Sequence, residues 1–318
     1  MIKSSNGIRI ERSGGVVADG PRNQEEHLVV SHAHADHAVK NDEVIACSEL
    51  TGSILEERFG IEAERNVPES IELIDAGHIL GSSAVLVEDE ILYTGDISTS
   101  ERLYLEGFKP VSAEKLVIES TYGIPNYTFP EQEKVVERIR EWIRENDSRP
   151  LFLFGYSLGK AQKIQKIAQE ATAREIIAHG AVRRMNEVVE ANTGLEFRAK
   201  KYGENKDLLD KNAIFIGPSR ASKSDYIEKL VEKHDGVKAG FSGWAVDESF
   251  RYRGGYDKTF PLSDHCDFKD LVEVVKKVDP EKVYTHHGFD EAFASFLKRE
   301  LGFNARALKN NQSSLGDF

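Results

Sequence analysis

Ser31-His32-Ala33-His34-Ala35-Asp36-His37 places four side chains able to bind metal within six positions, at the end of the apolar run His27-Leu28-Val29-Val30. So dense a set of imidazole and carboxylate serves no packing purpose, and imidazole suits zinc-like ions while carboxylate can bridge or hold a harder ion. Alternation along an extended segment would put His32, His34 and Asp36 on one side. His37, turning the other way in a loop, could reach a second ion beside the first.

Two ions need more ligands than one motif supplies. His78, in Asp75-Ala76-Gly77-His78, follows a strand-like run and sits among glycines that permit close backbone approach. Asp96, in Tyr93-Thr94-Gly95-Asp96, also ends an apolar run. Alone, one reads as a turn histidine and the other as a cap; beside the 31–37 motif they complete a ligand set.

Around these residues the chain reads as α/β. Residues 71–78 and 84–96 are strand-like, with a turn at Glu88-Asp89-Glu90, and Lys115–Glu119 is a strand ending on a carboxylate. Ser48 and Gly60 bracket a helix. From about Pro130 the texture changes. Val135, Val136, Ile139, Trp142 and Ile143 follow helical spacing, after which apolar runs alternate with helices: LFLFGY, EIIAHG and AIFIGP each precede one. That alternation predicts βαβ units and a small parallel sheet. After Phe260 the earlier style returns. The expectation is a discontinuous first domain, residues 1–125 and 261–318, with a second α/β domain, 126–260, inserted in it.

The 318 residues allow a buried core. Mean hydropathy is −0.45 and no apolar run approaches the roughly 18 residues of a membrane span. The start, MIKSSNGIRIERSGG, has no hydrophobic leader core. Cys47 and Cys266 are the only cysteines, which excludes a disulfide framework and predicts a cytoplasmic protein. The net charge of −12 argues against a nucleic-acid partner, but it is uneven. Residues 151–260 hold 19 Lys and Arg against 15 Asp and Glu, a balance of +4, so a polyanion would lie there.

The HxHxDH motif, the Gly-flanked histidine and the Thr-Gly-Asp aspartate together resemble the metallo-β-lactamase superfamily, whose fold is an αββα sandwich. Asp19, in VVADG, resembles that superfamily's early supporting aspartate. The resemblance implies one ion on His32, His34 and His78, a second on Asp36 and His37, and Asp96 between them. The insert and its flanks are similar to the β-CASP branch, whose members cut nucleic acids. Glu119 in IESTYG, His265 in PLSDHCDF and His287 in YTHHG match its three signatures, with His286 as the competing choice for the last. The resemblance implies that His287 completes the second site and that Glu119 orients His265 near the leaving oxygen. Asp36, Glu119 and His265 form the expected catalytic set. GYSLGKAQ, AHGAVRRMNE, FSGW and PLSDHCDF resemble a narrower prokaryotic group: DNA exonucleases or endonucleases associated with ligase and helicase genes, and archaeal messenger-RNA 3′-end processing factors.

The implied activity is hydrolysis of phosphodiester bonds in single-stranded DNA or RNA, through a hydroxide activated by two divalent ions, zinc or manganese. Ligase, helicase or processing-complex proteins are the implied partners, and no membrane is expected. Candidate substrate contacts are Ser157 and Lys160 at a strand–helix turn, Arg183 and Arg220 after two further strand ends, and Trp244 as a stacking platform. Gly155-x-x-x-Gly159-Lys160 is not a P-loop, because the spacing is wrong and Ala161 stands where Ser or Thr is needed. Lys163 and Lys166 read as a solvated helix face, and Arg251 and Arg253 flank Tyr252 in a small basic cluster. The alternatives are a thioester or lactam hydrolase and a non-catalytic scaffold. An intact ligand set speaks against the scaffold.

Overall fold

The computed structural model describes residues 1–12, 14–40 and 43–308; the end of the expected C-terminal segment, 309–318, lies outside them. The chain forms two compact units: one of Met1–Glu101, Leu105–Thr128 and the chain from His265 onward, the other of Arg102–Tyr104 and Phe129–Asp264.

The first unit stacks two sheets. A four-stranded sheet has the order Ile2–Ser4, Ile8–Ile10, Val16–Ala18, His27–Val29, and only its last pair is parallel. A six-stranded sheet has the order Ala305–Ala307, Lys282–His286, Lys115–Glu119, Ile91–Tyr93, Ser83–Val87, Ile71–Asp75. Its first three pairings are parallel and its last two antiparallel. Side chains alternate across a strand, and that decides which ones meet. Val85, Val87, Ile91, Tyr93, Val117 and Tyr284 pack against Ile8, Ile10, Val16 and Val29 of the smaller sheet. Their neighbours Leu86, Leu92, Leu116, Ile118 and Val283 face the opposite way, onto the helices Phe268–Val278 and Asp290–Glu300. A strand covered on both faces reads as continuously apolar, as residues 116–118 do. The Phe268–Val278 helix starts where the Asp267 carboxylate accepts the Asp270 N–H at 2.8 Å. It buries Phe268, Leu271, Val272, Val275 and Val278 at helical spacing.

The topology collects strand ends. Lys282–His286, Lys115–Glu119 and Ile91–Tyr93 run parallel side by side, with Glu119 opposite His286. Ile71–Asp75, two antiparallel steps further on, points the same way. The loops carrying His78, Asp96, Glu119 and His286–His287 therefore all leave one edge of the sheet.

The second unit is a six-stranded, wholly parallel sheet in the order Lys200–Lys201, Ile176–Ala178, Ile214–Pro218, Leu151–Gly155, Val237–Phe241, Lys258–Phe260. On one face Leu151, Leu153, Ile214 and Ile216 pack against the helices Gln132–Glu145 and Lys160–Ala171. On the other, Phe152, Phe154 and Phe215 pack with Leu209, Ile227 and Tyr256. Among the described residues no helix is long and apolar enough to cross a membrane.

Candidate metal centre

The 31–37 segment does not run straight. The His37 and Ala38 amides both donate to the His34 carbonyl, at 3.2 and 3.1 Å, so the chain turns there. This corrects the expected alternation: His32 and His34 point inward together, while Asp36 stays exposed with its carboxylate 3.8 Å from His37 Nε2. The turn places Asp36 beside His37.

His32 Nε2 lies 3.1 Å from His34 Nδ1, and His78 Nε2 lies 3.2 Å from the same atom. Asp96 Oδ2 stands 3.5 Å from His32 Nε2, 3.7 Å from His78 Nε2 and 3.7 Å from His37 Nε2. Around one ion with ligands at about 2.0–2.1 Å, neighbouring tetrahedral donors stand about 3.3–3.4 Å apart. The three imidazoles and Asp96 match that spacing. Gly95 makes the approach possible: its φ is +54°, and a Cβ there would lie 2.8 Å from the Ser31 side chain.

Asp96 is buried, and its second oxygen, Oδ1, has no hydrogen-bond partner. A buried acceptor left unmade costs about 1–3 kcal/mol. Burial pushes the Asp96 carboxyl above its ordinary range, and the nearby Glu119 charge adds to this against the pull of His37 and His265. A cation between the carboxylate and the imidazoles relieves both costs, so the residues fit a divalent metal.

His37 points to the same need. Its Nδ1 lies 2.8 Å from Asp19 Oδ2, which aims Nε2 at Asp96. Burial opposes a charge on this ring, yet Asp19, Asp96 and Asp36 push its pKa up to about 10. Surroundings that hold a proton so firmly stabilise positive charge at Nε2. Asp19 is itself held by the Ser31 amide at 2.7 Å, the Ser31 hydroxyl at 2.6 Å and the Tyr93 hydroxyl at 2.7 Å.

Next to this cluster, His265 Nδ1 lies 3.1 Å from both oxygens of Glu119. Ligating atoms of Asp96, Glu119 and His265 fall within 4.8 Å of one another, and the His78 and His265 rings are 4.5 Å apart. Glu119 is fully buried. Burial would raise its pKa, but the His265 charge and hydrogen bonds from His265, Thr121 and the Ile97 amide hold it below the usual carboxylate range. At the last signature, His287 has φ +62° and an exposed side chain, and its charge reaches Asp96. His286 is packed 5.5 Å from the Tyr93 ring with Nε2 unpartnered, and burial and the His287 charge push its pKa down to about 4.

The expected substrate contacts lie in the second unit and do not behave alike. Lys160 is corrected. It is 2 % exposed, its ammonium lies 2.8 Å from Asp264 and it donates to the Leu262 carbonyl, so it does not face an incoming phosphate. Lys163 is no solvated residue either; it is 1 % exposed and pairs with Asp264. The helix that carries both is buried on more of its surface than its spacing suggested. Arg183 pairs with Glu187 and Glu190. Ser157 is half-buried, Arg220 exposed, and Trp244 half-buried at the rim of a cavity that also includes Arg220. Sequence reasoning missed Ser31 and Tyr93, which fix Asp19, and Thr121, which holds Glu119. Tyr93 was open to discovery: alternation puts it on the sandwich face three residues before Asp96.

A stacked two-sheet unit bearing a histidine–aspartate cluster at its strand ends, interrupted by a parallel-sheet insert, defines the metallo-β-lactamase fold. No family model matches the chain. A probable DNA ligase of Opitutus terrae is 32% identical over 99% of the chain and 32% of its own length. The 5′ exonuclease Apollo of Gallus gallus is 22% identical over 85% of the chain and 60% of its own length. The DNA cross-link repair protein pso2/snm1 of Schizosaccharomyces pombe is 28% identical over 62% of the chain and 37% of its own length. The chain thus spans between about a third and three-fifths of these relatives. The fold agrees with the resemblance to the β-CASP branch of the metallo-β-lactamase superfamily that the motifs carry.

Proposed function

We propose that the chain is a metal-dependent hydrolase of phosphodiester bonds in single-stranded nucleic acid, with DNA ahead of RNA. The observation that carries this is the Glu119–His265 pair lying against the Asp96 cluster. A thioester expels a thiolate, which leaves without a proton; a phosphodiester expels an alkoxide, which needs one. The names of the relatives, a DNA ligase, a 5′ exonuclease and a cross-link repair protein, support DNA.

His32, His34 and His78 would hold one ion, and Asp36, His37 and His287 the other, with Asp96 between them. Two divalent ions, zinc or manganese, would supply an activated water and offset the charge that grows on the phosphate. Asp19 keeps His37 in the tautomer that presents Nε2. Glu119 stays ionised, accepts from His265 Nδ1 and favours the imidazolium, whose Nε2 proton goes to the departing 3′- or 5′-oxygen. In the Opitutus protein the matching stretch is joined to roughly twice as much further chain under a ligase name. That supports work on strand ends alongside ligation.

The test is cleavage of labelled single-stranded DNA and RNA with manganese or zinc, with and without chelator, beside a thioester substrate. The expected result is chelator-sensitive cleavage of nucleic acid. Thioester hydrolysis with both strands left intact would overturn the reading.

A further inference from the structure

The second unit contains a cavity of about 490 Å³ built on three adjacent strand ends. Ile214–Pro218, Leu151–Gly155 and Val237–Phe241 run parallel side by side, with Gly155 opposite Pro218 and Phe154 opposite Gly240. The residues that follow them, Tyr156, Ser219–Arg220 and Ser242–Trp244, therefore emerge together and line the cavity. This is where parallel α/β sheets bind ligands, and the volume falls within the about 300–1,000 Å³ of small-molecule sites.

The lining has two chemistries. Arg220, Lys223 and Arg253 contribute three exposed cations, and among the described residues no acidic one lines the cavity. Among the described residues none of the three has a carboxylate at ion-pair distance, whereas Arg183 of the same unit is paired twice. In a chain of net charge −12, three unpaired cations on one cavity stand out. The second chemistry is aromatic: Trp244, Phe250 and the 57 % exposed Tyr156 surround the space. Tyr256 forms a fixed wall, its ring stacked at 5.7 Å on Phe250 and its hydroxyl 3.3 Å from Ser222. The Ser242 hydroxyl accepts the Trp244 amide at 3.3 Å, which sets the turn that presents the indole.

We propose that this cavity binds a nucleoside monophosphate, with the base against Trp244 and the phosphate among Arg220, Lys223 and Arg253. A flat apolar face beside three unpaired cations matches a base joined to a phosphate; inorganic phosphate leaves the aromatic half unused and a nucleoside leaves the cations unused. The ligand is either a free mononucleotide or the phosphorylated end of a strand, since the chemistry is the same. The site lies within the insert and does not depend on hydrolysis at the metal centre.

The experiment is equilibrium titration of the full chain with adenosine 5′-monophosphate, adenosine and inorganic phosphate, in chelator. The nucleotide should bind at least about tenfold more tightly than either fragment. The double variant Lys223→Ala, Arg253→Ala should lose at least about tenfold in affinity with its melting temperature held, and Lys223→Arg should keep most of it. Trp244→Ala should lose about tenfold where Trp244→Phe does not. Competition by an oligonucleotide ending in phosphate, but not by one ending in hydroxyl, assigns the strand end. Competition by neither assigns the free nucleotide. Adenosine monophosphate binding no better than phosphate, or the double variant binding at full strength, overturns the site. Because the titration is run in chelator, binding is read apart from cleavage: a chain that binds the nucleotide here but cleaves neither strand when given manganese or zinc would sink the nuclease reading and leave this one standing.

Discussion

Each unit buries a cluster of charged groups, and the two differ in how complete they are. In the insert, Lys160 and Lys163 both pair with Asp264, and backbone carbonyls of Leu262 and Ser263 accept further hydrogen bonds from Lys160, Lys163 and Arg102. In the sandwich unit, His32, His34, His37 and His78 turn ring nitrogens toward one another and Asp96, and Asp96 Oδ1 has no partner. A buried polar network is stable when its members satisfy each other and costly when they do not. Asp264 Oδ1 accepts no regular hydrogen bond either, but the Lys163 ammonium pairs with it, so the first cluster is closed on protein charges and serves the fold. The second is open, and what would close it is a cation.

The largest expected effect tests the open cluster at its centre. Asp96→Ala should lower bound metal and cut hydrolysis by more than about 10³-fold, because one side chain faces three imidazoles. Retained metal and near-normal turnover would mean that the cluster closes without an ion. His265→Ala comes next. Turnover should fall by about 10²–10⁴-fold with metal content unchanged, as for a lost general acid. Metal leaving with this histidine would move it into the ligand set.

The closed cluster predicts the reverse pattern. Asp264→Asn should destabilise the protein by about 3–5 kcal/mol, since two buried ammonium groups lose their counter-charge. Burial and then the Arg102 charge already push both amines well below the ordinary lysine range. Metal bound by the folded fraction should not change. A stable Asp264→Asn protein in chemical denaturation would show that the cluster is not holding the fold.

The contrast also explains what was legible in the sequence. The double-sheet core and the parallel insert showed as apolar runs, since strands such as LFLFG and KLVIE are covered on both faces. The candidate ligands showed because His and Asp at strand ends have no packing purpose. Asp36 was misplaced because alternation holds only along an extended chain, and the His34 carbonyl accepts two amides that turn it. Lys160 and Lys163 were misread because helical spacing says which face is apolar, not that charged side chains on another face are also covered. Their counter-charge, Asp264, lies about a hundred residues away, and no spacing rule links them. Nothing in the sequence singles out Lys223; only the parallel register brings its neighbours Ser219 and Arg220 beside Tyr156.

The smallest effect sharpens the comparison most, because it alters the open cluster without removing a ligand. Asp19→Asn leaves His37 in place but takes the charge from its Nδ1 partner. Metal affinity should drop by about 10–100-fold, as when the support behind a metal-bound histidine is lost. The pH dependence should change as well. In the metal-free protein the His37 pKa lies near about 10, so below that pH an ion must displace the proton on the ring. Affinity for that ion should therefore rise about tenfold per pH unit toward 10 and level off above it. Without the Asp19 charge the His37 pKa falls, and the rise should end at lower pH. Chelator-buffered titrations between about pH 6 and 9 read both slopes. Identical slopes in the two proteins would mean that His37 is not where the proton and the ion compete, and the second half of the site would need another ligand.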